Sequence, residues 1–166
     1  MGVIHTTSAN DVVEGGITEL VGINETLSAS KYSASVGVTI DTSDAGISGE
    51  IVSVLLVATE LGSGAIFQTA GRLYVFDADP ATAADAAALA ANGADHKKLI
   101  GSVKIASTDW GADANGGAAF ASVAIPFHQV NTLYFVFQPD SGATQINSAA
   151  GDDEELYLNF WYRREK

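Results

Sequence analysis

The sequence predicts a mainly β protein: an antiparallel β-sandwich, jelly-roll-like, of about eight strands, with one short Ala-rich helix and an N-terminal arm. Three observations predict it. Apolar residues recur with a period of two through most of the chain, as in half-buried strands. The runs are short and are joined by Gly, Asn, Asp and Ser clusters of irregular length. A single segment has helical composition, so the strand–helix alternation of a parallel fold is missing.

Met1–Tyr32 stand apart. Their apolar residues (Val3, Ile4, Val12, Val13, Ile17, Leu20, Val21, Ile23, Leu27) follow no sustained period and are broken by Gly15-Gly16 and Gly22. This segment is an extended arm packed on a neighbouring subunit, or a ragged first pair of strands in the same sheet. Residues 33–166 form the sandwich domain. There Ala34, Val36, Val38 and Ile40 point one way and Ser35, Gly37, Thr39 and Asp41 the other, before a turn over Asp41–Gly46.

Glu50 to Pro80 is the centre of the chain. Val52-Ser53-Val54-Leu55-Leu56-Val57, within the run Ile51–Ala58, is apolar on both faces, as in a central strand covered on each side. A Gly/Ser loop, Leu61–Gly64, and a short strand candidate near Ala65–Thr69 follow. The run Gly71–Asp77 ends at Asp79-Pro80, because proline has no N–H for a ladder and restricts the residue before it. Pro80 and Thr82 open the helix Ala83–Ala91, which Asn92-Gly93 stops.

Leu99–Ser107 reads as a strand, with Leu99, Gly101, Val103 and Ile105 sharing a face. Trp110–Gly117 reads as a loop with Asn115-Gly116 as its turn dipeptide. Phe120–Phe127 alternates, with Val123, Ile125 and Phe127 on one side and Ser122, Ala124 and Pro126 on the other. Pro126 marks a sheet edge or a strand end. Thr132–Gln138 carries Leu133, Phe135 and Phe137 in phase, and a polar loop, Pro139–Asp153, separates it from the last strand. In Leu156–Tyr162, one face holds Leu156, Leu158, Phe160 and Tyr162, the other Tyr157, Asn159 and Trp161. Aromatics on both faces mean two coverings: the core and a partner.

Charge narrows the function. Eight Lys and Arg against 20 Asp and Glu give a net charge of −12, which repels a phosphate backbone and an anionic membrane alike. Nucleic acid and membrane are therefore not expected partners. Only 17 % of residues are charged, so much of the surface is small and neutral, which suits packing against other proteins. Arg163, Arg164 and Lys166 gather at the tail, either as a solvated terminus or as a cationic foot for an acidic partner. There is no cysteine, so no disulfide framework and no thiolate metal site. No signal peptide is legible after Met1, and no apolar run approaches the roughly 20 residues of a membrane span.

Chemistry is sparse. Nucleophile elbows and phosphate loops are absent. His5, His96 and His128 lie far apart, without zinc spacing. Asp77, Asp79 and Asp85, or Asp109, Asp113 and Asn115, could offer oxygens to calcium, but aspartate is equally an ordinary turn and cap residue. Asp152-Asp153-Glu154-Glu155 reads as a solvated run that discourages edge pairing. Asn24-Glu25-Thr26 fits a glycosylation acceptor only in a secreted chain. The expectation is a protein that is not an enzyme, with no catalytic residue, no cofactor and no metal.

Four segments carry a family resemblance: Arg72–Asp79 with the Ala-rich turn, Leu99–Trp110, Val123–Tyr134 with Pro126-Phe127-His128, and the ending Asn147–Glu154 and Asn159–Arg164. They resemble small structural proteins encoded among the head genes of tailed bacteriophages, over roughly Ile47 to Arg164. The resemblance implies a capsid decoration (cement) protein: a β-sandwich, often a homotrimer, on the outer surface of the major capsid protein shell. It implies a virion location for a chain made in the bacterial host cytoplasm, with the major capsid protein and itself as partners. No functional residue transfers. From the residues themselves the candidate interface is Tyr157 and Trp161 on the last strand, with Ile4, Val12, Val13 and Ile17 from the arm. The alternative is a carbohydrate- or receptor-binding module of a phage tail or fibre, stacking Trp110 or Tyr32 on sugars.

Overall fold

The computed structural model describes residues 11–21, 26–27, 32–59, 69–80, 95–113, 116–140, 146–147 and 155–165. Twelve strands run through them: β1 (Val12–Glu14), β2 (Thr18–Val21), β3 (Thr26–Leu27), β4 (Val36–Thr39), β5 (Ile47–Thr59), β6 (Gly71–Phe76), β7 (Leu99–Ile105), β8 (Trp110–Asp113), β9 (Gly116–Val130), β10 (Thr132–Pro139), β11 (Ile146–Asn147) and β12 (Glu155–Arg164). One sheet has the order β1-β12-β5-β9-β8, with β2 also on β12. The second is β4-β10-β6-β7, and β3 pairs β11 alone. Every pairing is antiparallel. Counting β2, β4, β5, β6, β7, β9, β10 and β12, one sheet reads first, eighth, third, sixth and the other second, seventh, fourth, fifth, which is jelly-roll order.

Period-two alternation builds the core. Val54, Leu56, Leu158 and Phe160 from the larger sheet meet Leu73, Val75, Phe135 and Phe137 from the smaller, all fully buried in one cluster. Phe135 and Phe160 touch across the interlayer, ring centroids 4.8 Å apart. Each such side chain contributes about 1.5–3 kcal/mol by leaving water. The outside of the smaller sheet has a satellite cluster of its own, Phe76 and Val136 beneath Tyr32, Tyr74, Leu99 and Tyr134.

Several expectations change. Trp110–Asp113 is a strand and not a loop: β8 pairs with Gly116–Ala119 of β9. Its Gly and Ala residues carry little strand propensity, but ladder bonds are backbone bonds and tolerate them here. β9 is correspondingly longer than Phe120–Phe127. Pro126 does lie along an edge: it is paired to Glu50 on one side, while β8 covers the other side of β9 only as far as Ala119. Ser107, the last residue of the predicted strand, instead opens a 3-10 turn, Ser107–Asp109. The Ala-rich helix and the short strand candidate lie outside the described residues, except that Thr69 is buried coil and Pro80 ends the β6 segment.

Of the first 32 residues, 12–14 and 18–21 pair with β12 of their own chain, end to end along one edge. The glycine pair that interrupts the pattern is the joint between them. A Cβ on Gly15 would fall 2.1 Å from Cζ of the buried Phe160, and the Gly15 N–H donates to the Phe160 carbonyl at 2.8 Å. Gly16 adopts φ +98, which L side chains rarely reach, and turns the chain so that Ile17 projects outward.

Candidate functional site

The outer face of the larger sheet is the most unusual surface among the described residues. Three large apolar side chains are exposed there, Val12 at 50 %, Ile17 at 72 % and Phe120 at 58 %, and all belong to this sheet or the joint at its edge. Between them Leu55 and Val57 of β5 are half-buried, as are Tyr157 and Trp161 of β12.

Pairing places these side chains in rows across the strands. Phe120, Leu55 and Asn159 form one row over β9, β5 and β12. Gly111, Ala118, Val57, Tyr157 and Glu19 form the next, from β8 to β2. On the other side of the Leu55 row come Ser122, Ser53, Trp161 and Glu14. Bulk is distributed unevenly: apart from Phe120, these rows carry small residues on β8 and β9 (Gly111, Ala118, Ser122), whereas β12 carries Tyr157 and Trp161.

Two hollows follow from that distribution. One, of about 270 Å³, is walled by Ile17, Leu55, Val57, Tyr157, Leu158 and Asn159 and is almost wholly apolar. The other, of about 310 Å³, lies over Gly111, Gly117 and Ala118 beside Val57, where the side chains are too small to fill it. Asn159 is the polar exception in the first. It is only 7 % exposed; its Nδ2 donates to Glu14 Oε1 at 2.6 Å, and its Oδ1 has no hydrogen-bond partner among the described residues. At the far wall the Tyr157 hydroxyl donates to Glu155 Oε2 at 2.9 Å. That bond to a carboxylate, and then burial, raise the Tyr157 pKa above its usual value.

The structure brings Tyr157, Trp161, Val12 and Ile17 onto this one face. Val13 points the other way and packs against the core, and Ile4 lies outside the described residues. Sequence reasoning missed Phe120, Leu55 and Val57 as members. Carrying the β9 alternation back by two residues from Ser122 puts Phe120 on the outer side, so that signal was available.

The remaining candidates are placed elsewhere. Trp110 is buried at 5 % exposure, with its indole Nε1 donating to the Thr69 carbonyl at 3.0 Å, so it cannot stack on a sugar. Tyr32 lies against Tyr74, centroids 5.7 Å apart. Asp79 accepts from Ser35 through its carboxylate and from Lys98 through its carbonyl, while Asp109 accepts the Ala106 N–H, so both are held as turn residues. Asp85, Asn115 and His5 fall outside the described residues, among which no cluster of metal-ligating side chains occurs. His128 Nδ1 is bonded to Ser48 Oγ at 2.8 Å. The cationic tail is divided: Arg163 is exposed, whereas Arg164 turns toward the core, over the Tyr162 ring and within 3.4 Å of the Ile40 carbonyl. No described helix is long and apolar enough to cross a membrane.

The class that the fold defines is an antiparallel β-sandwich of jelly-roll order with one apolar outer face. No family model matches the chain, and no curated protein matches it. Among solved structures, a chain of the full particle of Israeli acute paralysis virus heated to 63 degrees is similar at 9 % identity. The match covers 99 % of this chain and 73 % of that one, with a TM-score of 0.32. A likeness at that level carries no argument about function.

Proposed function

We propose that the protein is a virion structural protein of a tailed bacteriophage, a decoration protein that binds the outer surface of the major capsid protein shell and stabilises it. The observation that carries this reading is the apolar outer face of the larger sheet, where Val12, Ile17 and Phe120 stand in water. A sheet face with exposed large apolar side chains is an association surface, since covering each returns up to about 1.5–3 kcal/mol. The family resemblance supplies the kind of partner, the capsid shell, and implies a homotrimer. The net charge of −12 is compatible with a place outside the shell, away from the genome.

Mixing the purified protein with undecorated shells tests it. Stoichiometric binding and a higher disruption temperature of the shells are expected; shells that stay bare and melt unchanged sink the reading. The alternative, a carbohydrate- or receptor-binding module, retains Tyr32 beside Tyr74, whose hydroxyl donates to Gln138 Oε1 at 3.0 Å. A glycan array with no signal removes it.

A further inference from the structure

We infer that the outer face of the smaller sheet binds an acidic saccharide, with Tyr32 and Tyr74 against the sugar and Arg72 on its carboxylate. The inference rests on the carbohydrate alternative above for the tyrosine pair, and adds to it a ligand class and a charged residue. It makes no use of the apolar face of the larger sheet, which lies on the opposite side of the sandwich.

The site is built from the backbone up. Tyr32 is fixed beside β10 by its neighbour Ser33, whose N–H donates to the Phe137 carbonyl at 2.8 Å and whose Oγ accepts the Phe137 N–H at 2.9 Å. The Tyr32 ring leans on Tyr74, and both are half-buried over the fully buried Phe76 and Val136, so the rings stand on a packed floor. Polar groups rim them. Gln138, Arg72 and Lys104 form one row across β10, β6 and β7, and Ser102 lies opposite Tyr74 in the next. Arg72 Nη1 donates to Ser102 Oγ at 3.0 Å, which draws the guanidinium toward the Tyr74 row. Arg72 and Tyr74 are two residues apart on one face of β6, about 7 Å along the strand, so a sugar on the tyrosine has its edge within reach of the guanidinium.

Charge selects an anion. In a chain with 20 acidic residues, Arg72 has no carboxylate at ion-pair distance among the described residues. Its neighbour Lys104 pairs with Asp140 at 3.5 Å, and those two charges offset each other. This end of the face therefore keeps the positive charge of Arg72 on a molecule of net charge −12. Asp77 and Asp79 lie just past the other end of β6, which turns a ligand's carboxylate toward Arg72. A guanidinium fork matches a carboxylate, and here the fork stands beside aromatic rings. A saccharide that bears a carboxylate has C–H faces for the rings, hydroxyls for Gln138 and Ser102, and an acid for Arg72. An acidic peptide uses Arg72 and leaves the rings bare.

Calorimetric titration of the purified chain with alginate, polygalacturonate, hyaluronate and polysialic acid tests the site. At least one should bind, and its methyl-esterified, uncharged form should bind about tenfold more weakly or worse. Arg72→Gln should lose as much, with its thermal unfolding matched to the parent, and Arg72→Lys, which keeps the charge without the fork, should recover only part. Phe120→Asp, on the larger sheet, should bind the polysaccharide like the parent. No binding by any of the polymers overturns the site and the carbohydrate alternative together. Equal binding of the uncharged form, or of Arg72→Gln, overturns the acidic class and leaves the carbohydrate alternative standing. Polyglutamate held as tightly as the polysaccharide overturns the saccharide and assigns the face to an acidic protein. Arg72→Gln should still coat bare shells; a variant that fails to coat them makes this face a shell contact and overturns the inference, whereas a parent that ignores the shells sinks only the decoration reading.

Discussion

The side-chain amide of Asn159 donates to the Glu14 carboxylate at 2.6 Å, tying β12 to β1 in the middle of an apolar surface. Asn159 is nearly buried and its Oδ1 has no hydrogen-bond partner among the described residues, so the strand accepts a desolvation cost to keep this link. The link holds the edge that carries Val12 and Ile17.

Asn159→Asp places two carboxylates where an amide now bridges to one. A loss of about 1–3 kcal/mol at neutral pH is expected by urea unfolding, with Glu14→Gln, which retains a carbonyl acceptor, close to the parent. An Asn159→Asp variant as stable as the parent would show that the bond itself matters little.

Gly15 sits where only a hydrogen fits. Gly15→Ala drives a methyl into the Phe160 ring, which is fully buried and has no room to retreat. A cost of about 1–3 kcal/mol is expected, with amide exchange accelerating first in Val12–Val21. Uniform acceleration over all strands would place the strain elsewhere.

Phe135 and Phe160 join the two sheets through a ring contact in which neither side chain reaches water. Truncating Phe135→Ala should cost about 3–5 kcal/mol, read from the denaturation midpoint. A cost below about 1 kcal/mol would mean the interlayer closes over the gap.

Tyr74 and Tyr157 both have pKa values raised in the folded chain. For Tyr74 burial is the main cause, with neighbouring Tyr32 next; for Tyr157 it is the bond to Glu155. A raised native value means the folded form holds the proton more tightly, so stability is intact below the unfolded value of about 10 and falls as pH rises through the native one. Tyr74→Phe should flatten part of that alkaline decline, followed by unfolding across the pH range. An unchanged slope would assign the decline to other groups.

Much of this molecule was legible without coordinates. Alternation at 132–138 and 156–162 named the inward residues Leu133, Phe135, Phe137, Leu158 and Phe160, because a strand covered on one face must repeat every two residues. The two-sided apolar run at 52–57 marked β5 as a central strand, and β5 does lie between β12 and β9. What sequence left illegible depends on distance across the chain. Trp110–Asp113 looked like a loop because its pairing partner, and not its own composition, makes it a strand.

By itself the sequence determined the β class, the faces of the long strands and the absence of cysteine chemistry, since these follow from side-chain type and local period. Tertiary structure alone decided the order of the strands and the register between them. Register brought Phe120, Leu55 and Asn159 into one row from three distant segments, and pairing with β9 turned Trp110 inward. The reason is physical: a strand's alternation says which residues share a face, but only backbone pairing with non-local strands says which residues of different strands become neighbours.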